Sequence, residues 1–518
     1  MLVLAYLRKS SRIFLVSNYL LNSLLKHATK ACTKPLAIIT KMKYLKRIIK
    51  IISALLLTLT IVVIVFLIVD VYNTAYLKIK NNSSLHETSY LITNINIVPM
   101  SKDTILAHKT IWVKNGIIEN IADSIQVEGI EIIDGENKFL SPGLIDMHIH
   151  LWDKQELGLY LANSVTTIRN LWGYPMHLRI KKALNDENII GPLLYTSGPK
   201  LTGEKDLGDD KVQVSTPEDS KRLIISYKKR GFDFIKTYAG LPENIENAIL
   251  EQSILSNISI VSHPSREIPY LDQFQPQISS IEHVEEIVQQ ALEYKLDSLK
   301  LDTIIQKFVR AQKSFCPTLT GYYKIFEMLE LGEDVLTSDP AYYVNPLMQK
   351  FDSKVQYDRW ANEKQNNSSI KTDIYAQHQF HLYIIKRMNE AGVNIICGTD
   401  AGIGITAPGY SIHQELAFYK EAGLSNYDVL KTATINPTKT HKELEKIGSI
   451  EKGKLANFIL TSKNPLEDLS VLNNPEWVMV KGRKIDKILL NELTENALDR
   501  NNLVVTGLRY AEYLFIEK

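Results

Sequence analysis

The sequence predicts an α/β protein whose main domain is a (β/α)8 barrel of the TIM type, and three observations predict it. Between residues 142 and 437, short apolar runs alternate with helical stretches, which is the pattern of repeated βα units and a parallel sheet. This span of roughly 300 residues fits an eight-stranded barrel, which takes about 250 residues before insertions. Several metal-binding residue types also stand where the apolar runs end.

The first predicted strand lies in the segment 139–150, which reads Phe-Leu-Ser-Pro-Gly-Leu-Ile-Asp-Met-His-Ile-His. Pro142 and Gly143 mark a loop, and the apolar residues after them suit a strand that is covered on both faces. His148 and His150 end this strand two residues apart, so their side chains project from the same side. Two imidazoles in that arrangement can bind one divalent metal.

Seven further apolar runs follow as predicted strands. They lie at residues 165–169, 193–196, 234–236, 258–261, 280–283, 315–319 and 395–398. The long polar segment 322–389 between the last two is predicted to be helical, and it is long enough to form a lid over the barrel mouth.

Four more residues stand at the ends of these runs: Lys236, His263, His283 and Asp400. Active sites of this fold gather at the carboxyl ends of the strands. Each residue alone is weak evidence, because a lone histidine is more often a packed residue and a lone lysine is usually solvated. The set in this order, each member after an apolar run, predicts a shared site.

Short strands and turns also lie on both sides of the barrel. Residues 89–141 form one β-rich piece, in which Asn115-Gly116 is a strong hairpin signal. Residues 445–490 form a second β-rich piece, and residues 491–518 remain as a C-terminal tail.

The N-terminal region predicts a membrane anchor. Residues 51–69 form an uncharged apolar run of 19 residues, close to the length that crosses a bilayer core of about 30 Å. Five basic residues between Lys41 and Lys50 precede it, so the positive-inside rule keeps the N-terminus cytoplasmic and places the body on the extracytoplasmic side. A cleaved signal peptide is the alternative, although the run is longer than a usual signal core of about 7–15 residues.

These patterns divide the N-terminal part into a basic segment 1–50, a transmembrane anchor 51–70 and a polar linker 71–88. Residues 1–41 are basic and free of acids, which leaves open a transit peptide or a translation start at Met42.

The charge distribution excludes a nucleic-acid-binding body. Residues 1–69 hold eleven of the 60 Lys and Arg and no acid, so 49 basic residues face 58 acidic ones in the rest of the chain. The three cysteines, Cys32, Cys316 and Cys397, show no metal-knuckle spacing and define no disulfide framework. Cys316 and Cys397 lie in barrel strands and are predicted to be core residues.

These motifs together resemble the amidohydrolase superfamily, in its imidazolonepropionase-like and prolidase-like branch. The resemblance includes the His-x-His strand, Tyr195-Thr-Ser-Gly-Pro199, Gly398-Thr-Asp-Ala-Gly402 and Thr432-Ala-Thr-Ile-Asn-Pro437, and it covers about residues 89–487. It implies that the two β-rich pieces pair into one small β-sandwich with the barrel inserted between them. The chain departs from its relatives at Asn170, Val284 and Asn457.

The resemblance also implies a ligand set for two divalent metal ions, with zinc expected. His148, His150 and Asp400 would hold one ion, and His263 and His283 the other. Lys236 would bridge them as a carbamate formed with carbon dioxide, because an ammonium cannot bind a cation whereas a carbamate offers two anionic oxygens. The alternative for Lys236 is a surface lysine beside a mononuclear site.

The implied activity is hydrolysis of a carbon–nitrogen (amide) bond, in a dipeptide or an N-acyl amino acid, by a metal-bound hydroxide. Asp400 would act as the general base and then the general acid. Lactone, ester or cyclic-amide hydrolysis on the same site is the alternative activity. A catalytically silent, membrane-tethered binding protein is the alternative from another class. The expected partners are a small-molecule substrate and the membrane, and an oligomer is left open.

Other residues have interpretations that need no shared site. His378 and His381 are three residues apart on a predicted helix, where an exposed face is the simplest interpretation. His413 is predicted to pack or cap near the start of a helix. Tyr238 is a candidate substrate donor, and Arg169 is either a structural ion pair or a carboxylate ligand. The acidic residues Glu204, Asp206, Asp209 and Asp210 form a loop that lies near the mouth or is simply solvated.

Overall fold

The computed structural model describes residues 35–81, 85–500 and 502–518, and the chain divides into the units Met1–Val69 and Asp70–Lys518. Helix α1 spans Pro35–Asn73. Its part Met42–Asn73 is the one helix among the described residues that is long and apolar enough to cross a membrane, by length and composition. The predicted span 51–70 lies within it. Residues 1–34 of the predicted basic segment fall outside the described residues.

The described residues of the second unit contain seventeen strands. In chain order they are β1 Tyr90–Ile97, β2 Leu106–Lys114, β3 Ile117–Ala122, β4 Glu131–Asp134, β5 Phe139–Pro142, β6 Leu144–Ile149, β7 Val165–Asn170, β8 Leu193–Thr202, β9 Lys211–Gln213, β10 Phe234–Thr237, β11 Ser259–Ser262, β12 Ile278–Glu282, β13 Ser314–Cys316, β14 Asn394–Ile395, β15 Phe458–Thr461, β16 Trp477–Val480 and β17 Arg483–Asp486.

The helices of seven residues or more in this unit lie mostly between barrel strands. They are α2 Glu156–Ala162, α3 Pro175–Asn185, α4 Pro217–Arg230, α5 Glu243–Ser256, α6 Ser298–Ala311, α7 Leu319–Leu331, α8 Lys354–Asn366, α9 Ile370–Glu390, α10 Ser411–Glu421, α11 Asn426–Thr432, α12 Lys487–Leu498 and α13 Leu503–Glu517.

The barrel consists of eight parallel strands in the order β6, β7, β8, β10, β11, β12, β13, β14, with β9 added along β8. The sheet closes because the chain after β14 bonds back to β6. The Met147 amide donates to the Cys397 carbonyl at 2.8 Å, and the His150 amide donates to the Ala401 carbonyl at 2.7 Å. The predicted βα barrel is therefore confirmed, including its first strand.

A buried acid and a glycine permit this closure. The Thr399 hydroxyl donates to the Asp146 carboxylate at 2.7 Å, which ties the loop after β14 to the middle of β6. A Cβ at Gly398 would lie 2.4 Å from the Cys316 sulfur and 2.7 Å from the His148 Cβ. Only glycine fits at that position, because the two backbones approach too closely for any side chain.

A second sheet joins the segments before and after the barrel. Its order is β17-β16-β15-β5-β1-β2-β3, and β4 pairs with β1. The joint is the antiparallel pair β5–β15, where Leu140 faces Leu460. Asn115 and Gly116 both have positive φ in the β2–β3 turn, so the hairpin signal is confirmed.

The segment 71–88 packs against the barrel over much of its described length. The Leu77 and Ile79 side chains are buried, and the Ile190 amide donates to the Leu77 carbonyl at 2.8 Å. The C-terminal residues 491–518 also have regular structure, in most of α12 and all of α13. The α12 residue Leu493 is fully buried and packs against Gly158 of α2.

The long insertion before β14 is helical, as predicted, and contacts two loops at the carboxyl ends of the strands. The Gly404 amide donates to the Asp352 carboxylate at 2.6 Å, four residues after Asp400. The Asn345 amide group donates to the Asp153 carboxylate at 2.6 Å, three residues after His150. These contacts place the insertion beside the loops that follow β6 and β14.

The prediction that His378 and His381 lie on an exposed helical face is wrong. Both side chains are buried, with relative exposures of 1% and 0%. His378 packs against the rings of Tyr323 and Phe418, with centroid distances of 4.5 and 4.7 Å. Helical spacing identified a shared face, but α9 turns this face toward neighbouring helices, which the spacing alone does not reveal.

Protonation of His378 should destabilise the fold. Burial lowers the pKa of His378 to about 4 from its ordinary 6.5, and both ring nitrogens lack a hydrogen-bond partner among the described residues. Between pH 6.5 and 4 the unfolded chain binds a proton that the folded chain does not bind, so the free energy of unfolding falls as the pH drops. We expect this histidine to contribute about 2 kcal/mol of destabilisation between pH 7 and pH 5.

Urea unfolding of the full chain at both pH values measures this contribution. The His378→Leu variant should lose about that much less stability over the same interval, because leucine fills the site without a titrating group. His86 is exposed, so His86→Gln should retain the full pH dependence. An unchanged pH dependence in His378→Leu would contradict the assignment.

Candidate metal centre

Three predicted ligands lie in direct contact at the barrel mouth. The His150 Nε2 is 2.9 Å from the Asp400 Oδ1, and the His148 Nε2 is 3.3 Å from the same oxygen. All three ligand atoms lie within 4.8 Å of one another, and the residues are buried. Strand β6 supplies His148, the residue directly after it is His150, and the closure after β14 brings Asp400 to both.

The two remaining histidines continue this group. The ring centroids of His148 and His283 are 4.8 Å apart, and those of His283 and His263 are 4.4 Å apart. His263 directly follows β11 and His283 directly follows β12. His283 and Asp400 have φ of 71° and 59°, a backbone conformation that is uncommon for residues with side chains and that clusters at functional sites.

Lys236 lies inside the barrel near the same groups. Its side chain is fully buried on β10, and its Nζ has no hydrogen-bond partner among the described residues. Burial is the main cause that lowers the pKa of Lys236 to about 8; Arg169 acts in the same direction, and the Glu282 and Asp400 carboxylates oppose it. A surface lysine is therefore excluded, and the neutral amine is accessible near neutral pH.

A carboxylate that no sequence motif identified orients the first histidine. The His148 Nδ1 donates to Glu282 at 2.8 Å, which leaves Nε2 facing Asp400. Arg169 donates to both Glu282 oxygens, at 2.9 and 3.1 Å, so Arg169 forms a structural ion pair. Burial alone would raise the pKa of Glu282, but Arg169 and His148 hold it well below its ordinary value. An acid next to His283, in a strand whose other residues are uncharged, was the available signal.

The other two histidines are oriented in the same manner. The His263 Nε2 donates to Glu286 at 3.2 Å, and Arg266 donates to the same carboxylate at 2.7 Å. The His283 Nδ1 hydrogen-bonds with the Thr318 hydroxyl at 3.0 Å. Such outer partners set the orientation of metal-binding imidazoles.

The arrangement fits divalent metal ions. The His263 Nδ1 and the Lys236 Nζ are buried and unpartnered within the described residues, so each has a free binding capacity. Imidazole nitrogens with one carboxylate are the donors that zinc prefers. The structure thus brings together His148, His150, His263, His283, Lys236 and Asp400, as the sequence predicted, and their roles as ligands remain a proposal.

Aromatic residues line one side of this group. The Tyr238 ring stacks on His263 with a centroid distance of 4.4 Å, and the Trp172 ring lies 6.5 Å from His150. The C-terminal helix α13 adds Tyr510 and Tyr513, whose rings lie 6.0 and 5.5 Å from Trp172. No motif in the sequence predicted that this helix lies beside the histidines.

The two cysteines predicted to lie in barrel strands are core residues. Cys316 and Cys397 are fully buried, so the core prediction is confirmed for both, while Cys32 lies outside the described residues.

In the acidic loop, Asp206 and Asp210 form ion pairs with Lys211 and Lys200, whereas Glu204 and Asp209 are exposed. His413 lies two residues into α10 and is partly buried. Asn170 binds the backbone of Leu151 and Trp172 at the mouth.

The chain is similar to known proteins in sequence and in fold. The sequence model of the amidohydrolase family matches residues 379–485. An ochratoxinase from Aspergillus niger is 24% identical over 376 residues, which cover 63% of this chain and 66% of that protein, just under two thirds of its length.

Solved structures share the fold. Bottromycin amidohydrolase superposes with a TM-score of 0.67 at 19% identity, covering 84% of this chain and 94% of that chain. A Xaa-Pro dipeptidase with bound methionine in its active site superposes with a TM-score of 0.59 at 18% identity, covering 77% of this chain and 100% of that chain.

The fold and the site are those of a barrel protein with a candidate metal centre at the carboxyl ends of its strands. Residues 379–485 are similar in sequence to the amidohydrolase family, and the chain shares the fold of the solved amidohydrolase and Xaa-Pro dipeptidase structures.

Removing the carboxylate that orients His148 should weaken metal binding. We expect Glu282→Gln to lower zinc affinity by roughly 10- to 100-fold, because the amide holds the imidazole less strongly and leaves Arg169 without its counter-charge. Competition with a chromophoric chelator measures the affinity, with circular dichroism as a check on folding.

Glu246→Gln is the matched control. Glu246 is also buried, on α5, and it contacts none of the histidines described above. Its substitution should leave zinc affinity unchanged. Equal affinity in Glu282→Gln and the parent chain would contradict the proposed orientation of His148.

Proposed function

We propose that the protein is a metal-dependent hydrolase that cleaves the carbon–nitrogen bond of dipeptides or N-acyl amino acids. The observation that carries this proposal is the unbroken chain of imidazoles from His150 through His148 and His283 to His263. Asp400 touches one end of this chain, and the buried Lys236 lies in the same barrel mouth. No single fold requirement explains so many buried polar groups in one place, since each is costly to bury.

The proposed ligand set divides between two divalent ions, with zinc expected. His148, His150 and Asp400 would hold one ion, and His263 and His283 would hold the other. Lys236 would bridge them as a carbamate, and its buried Nζ, which has no hydrogen-bond partner in the part of the chain that the structure describes, supports this role. When bound, the ions would supply a nucleophilic water at neutral pH and polarise the scissile carbonyl.

Asp400 is the residue proposed to move protons. Burial alone would raise the pKa of Asp400, but His148, His150 and His283 hold it well below its ordinary value. The carboxylate is therefore ionised at neutral pH. Its Oδ1 would accept a proton from the attacking water and later return it to the leaving nitrogen.

The substrate class rests on the similar proteins. One is named a Xaa-Pro dipeptidase and another an amidohydrolase, and both share the fold of this chain. The Trp172 and Tyr238 rings beside the histidines offer an apolar wall for a substrate side chain. We therefore favour amide substrates over the lactones and esters that the same centre would accept chemically.

Lys236 and Asp400 should be separable in their effects. Lys236→Ala should lose both metal and activity, because it removes the carbamate bridge. Asp400→Asn retains an oxygen ligand but cannot carry a proton, so most metal should remain while turnover falls by roughly 10²- to 10⁴-fold. Metal analysis per chain and hydrolysis of a dipeptide and N-acyl amino acid library provide the measurements.

Controls make this comparison specific. Lys313 is also largely buried, but it donates to the Ile278 carbonyl at the start of β12, at the opposite end of the barrel. Lys313→Met should leave the metal content per folded chain unchanged. A small carboxylic acid in bicarbonate-free buffer should partly restore Lys236→Ala. Two metals per chain with near-normal turnover in Lys236→Ala would disprove the bridge and favour a mononuclear site.

We also propose that α1 anchors the protein in a membrane as a single span, with the barrel on the extracytoplasmic side. The support is the uncharged run within Met42–Asn73 together with the basic residues that precede it.

Fusions at Lys518 test the topology. A reporter that is active only outside the cytoplasm should be active there, and one that is active only inside should be silent. Glutamine in place of Lys43, Lys46, Arg47 and Lys50 removes positive charge ahead of the span. These substitutions should reduce the fraction of the protein that inserts with this orientation. Activity of the cytoplasmic reporter alone, with the N-terminus intact, would refute the proposed orientation.

A further inference from the structure

We propose that Lys200 binds the carboxylate of an anionic substrate, and that Asp210 forms an ion pair with Lys200 until the substrate carboxylate takes its place. The inference rests on the proposed hydrolase function and names a residue that selects substrates with a free carboxylate beside the scissile amide. Its basis is the position of Lys200, the aromatic rings around its ammonium group and the unequal exposure of Lys200 and Asp210.

Lys200 projects toward the candidate metal centre. It lies on β8 opposite Lys236 of the neighbouring strand β10. Residues paired in this way on parallel strands project from the same face of the sheet. The Lys200 side chain therefore lies on the same side as the lysine proposed to bridge the metals, at the carboxyl end of the strand.

Two aromatic rings hold the ammonium beside the histidines. The Lys200 Nζ is 5.3 Å from the centroid of Trp172 and 5.2 Å from the centroid of Tyr238. Trp172 contacts His150, and Tyr238 stacks on His263. The ammonium is thus one side chain removed from histidines proposed for each of the two ions, a suitable distance for the end of a substrate whose amide lies over the centre.

The present partner of Lys200 comes from the loop between β8 and β9. Asp210 accepts a hydrogen bond from the Lys200 Nζ, and Lys211 pairs with Asp206 of the same loop at 2.8 Å. The side chain of Lys200 is only 6% exposed, whereas that of Asp210 is 32% exposed. Asp210 can therefore turn into water, but Lys200 cannot.

This asymmetry explains why a carboxylate is selected. A buried ammonium without a counter-charge is strongly disfavoured, so Asp210 leaves only when another anion takes its place. A substrate carboxylate restores the ion pair within the apolar surroundings, and a neutral amide does not. The loop carboxylate thereby acts as an internal competitor that rejects uncharged ligands.

The test compares N-acetyl-L-phenylalanine with N-acetyl-L-phenylalaninamide, which differ only at the carboxylate. Binding is measured by titration calorimetry on the zinc-loaded full chain in detergent, in an Asp400→Asn background that slows turnover. We expect the acid to bind more tightly than the amide. Lys200→Met should weaken binding of the acid by roughly 10- to 100-fold and change binding of the amide by less than about threefold.

Three further variants sharpen the comparison. Lys200→Arg retains the positive charge and should keep most of the preference for the acid, even if Lys200→Met folds poorly. Asp210→Asn removes the competitor and should tighten binding of the acid. Lys205 lies in the same loop, is 74% exposed and pairs with Glu267, so Lys205→Met is the matched control and should change neither ligand.

The outcomes separate this inference from the proposed function. A preference for the acid that survives in Lys200→Met, or weaker acid binding in Asp210→Asn, would overturn the inference. Turnover of the acid is measured in parallel with Asp400 intact. Binding of the acid that depends on Lys200, without turnover, would support the inference and count against the hydrolase proposal. Turnover of the acid that is unchanged in Lys200→Met would support the hydrolase proposal and count against the inference.

Discussion

The closure of the barrel between β14 and β6 is the constraint on which the rest of the site depends. The backbone after β14 approaches β6 so closely that Gly398 has no room for a Cβ, and a buried contact between Thr399 and Asp146 ties the two together. This closure brings Asp400 to His148 and His150 across 250 residues of chain. Without it, the two histidines would face solvent at the edge of an open sheet.

Buried charged residues around the candidate metal centre hold its histidines in position. Glu282, Arg169 and Glu286 are buried beneath the imidazoles, and each holds a histidine nitrogen directly or holds the carboxylate that does so. Burying these charges is costly, and pairing offsets the cost only when the geometry is good. These three buried residues therefore restrict the histidines to few orientations, which is the preorganisation that a metal site requires.

The surfaces above the centre come from distant parts of the chain. The acidic loop after β8 supplies Asp210, and the helical insertion before β14 contacts the loop that follows Asp400. The C-terminal helix α13 places Tyr510 and Tyr513 against Trp172. Elements this far apart can vary independently of the metal ligands, so the same centre can serve different substrates in different relatives.

The sequence by itself determined the barrel, the six candidate ligands and the apolar N-terminal helix. These features are local: strand alternation, a residue at the end of an apolar run, and an uncharged stretch are all visible in neighbouring residues. The tertiary structure alone decided which acid orients His148, which carboxylate holds Lys200, that α13 reaches the mouth, and that α9 buries His378. These depend on which faces meet across long separations in the chain, and periodicity shows that a face exists without showing what covers it.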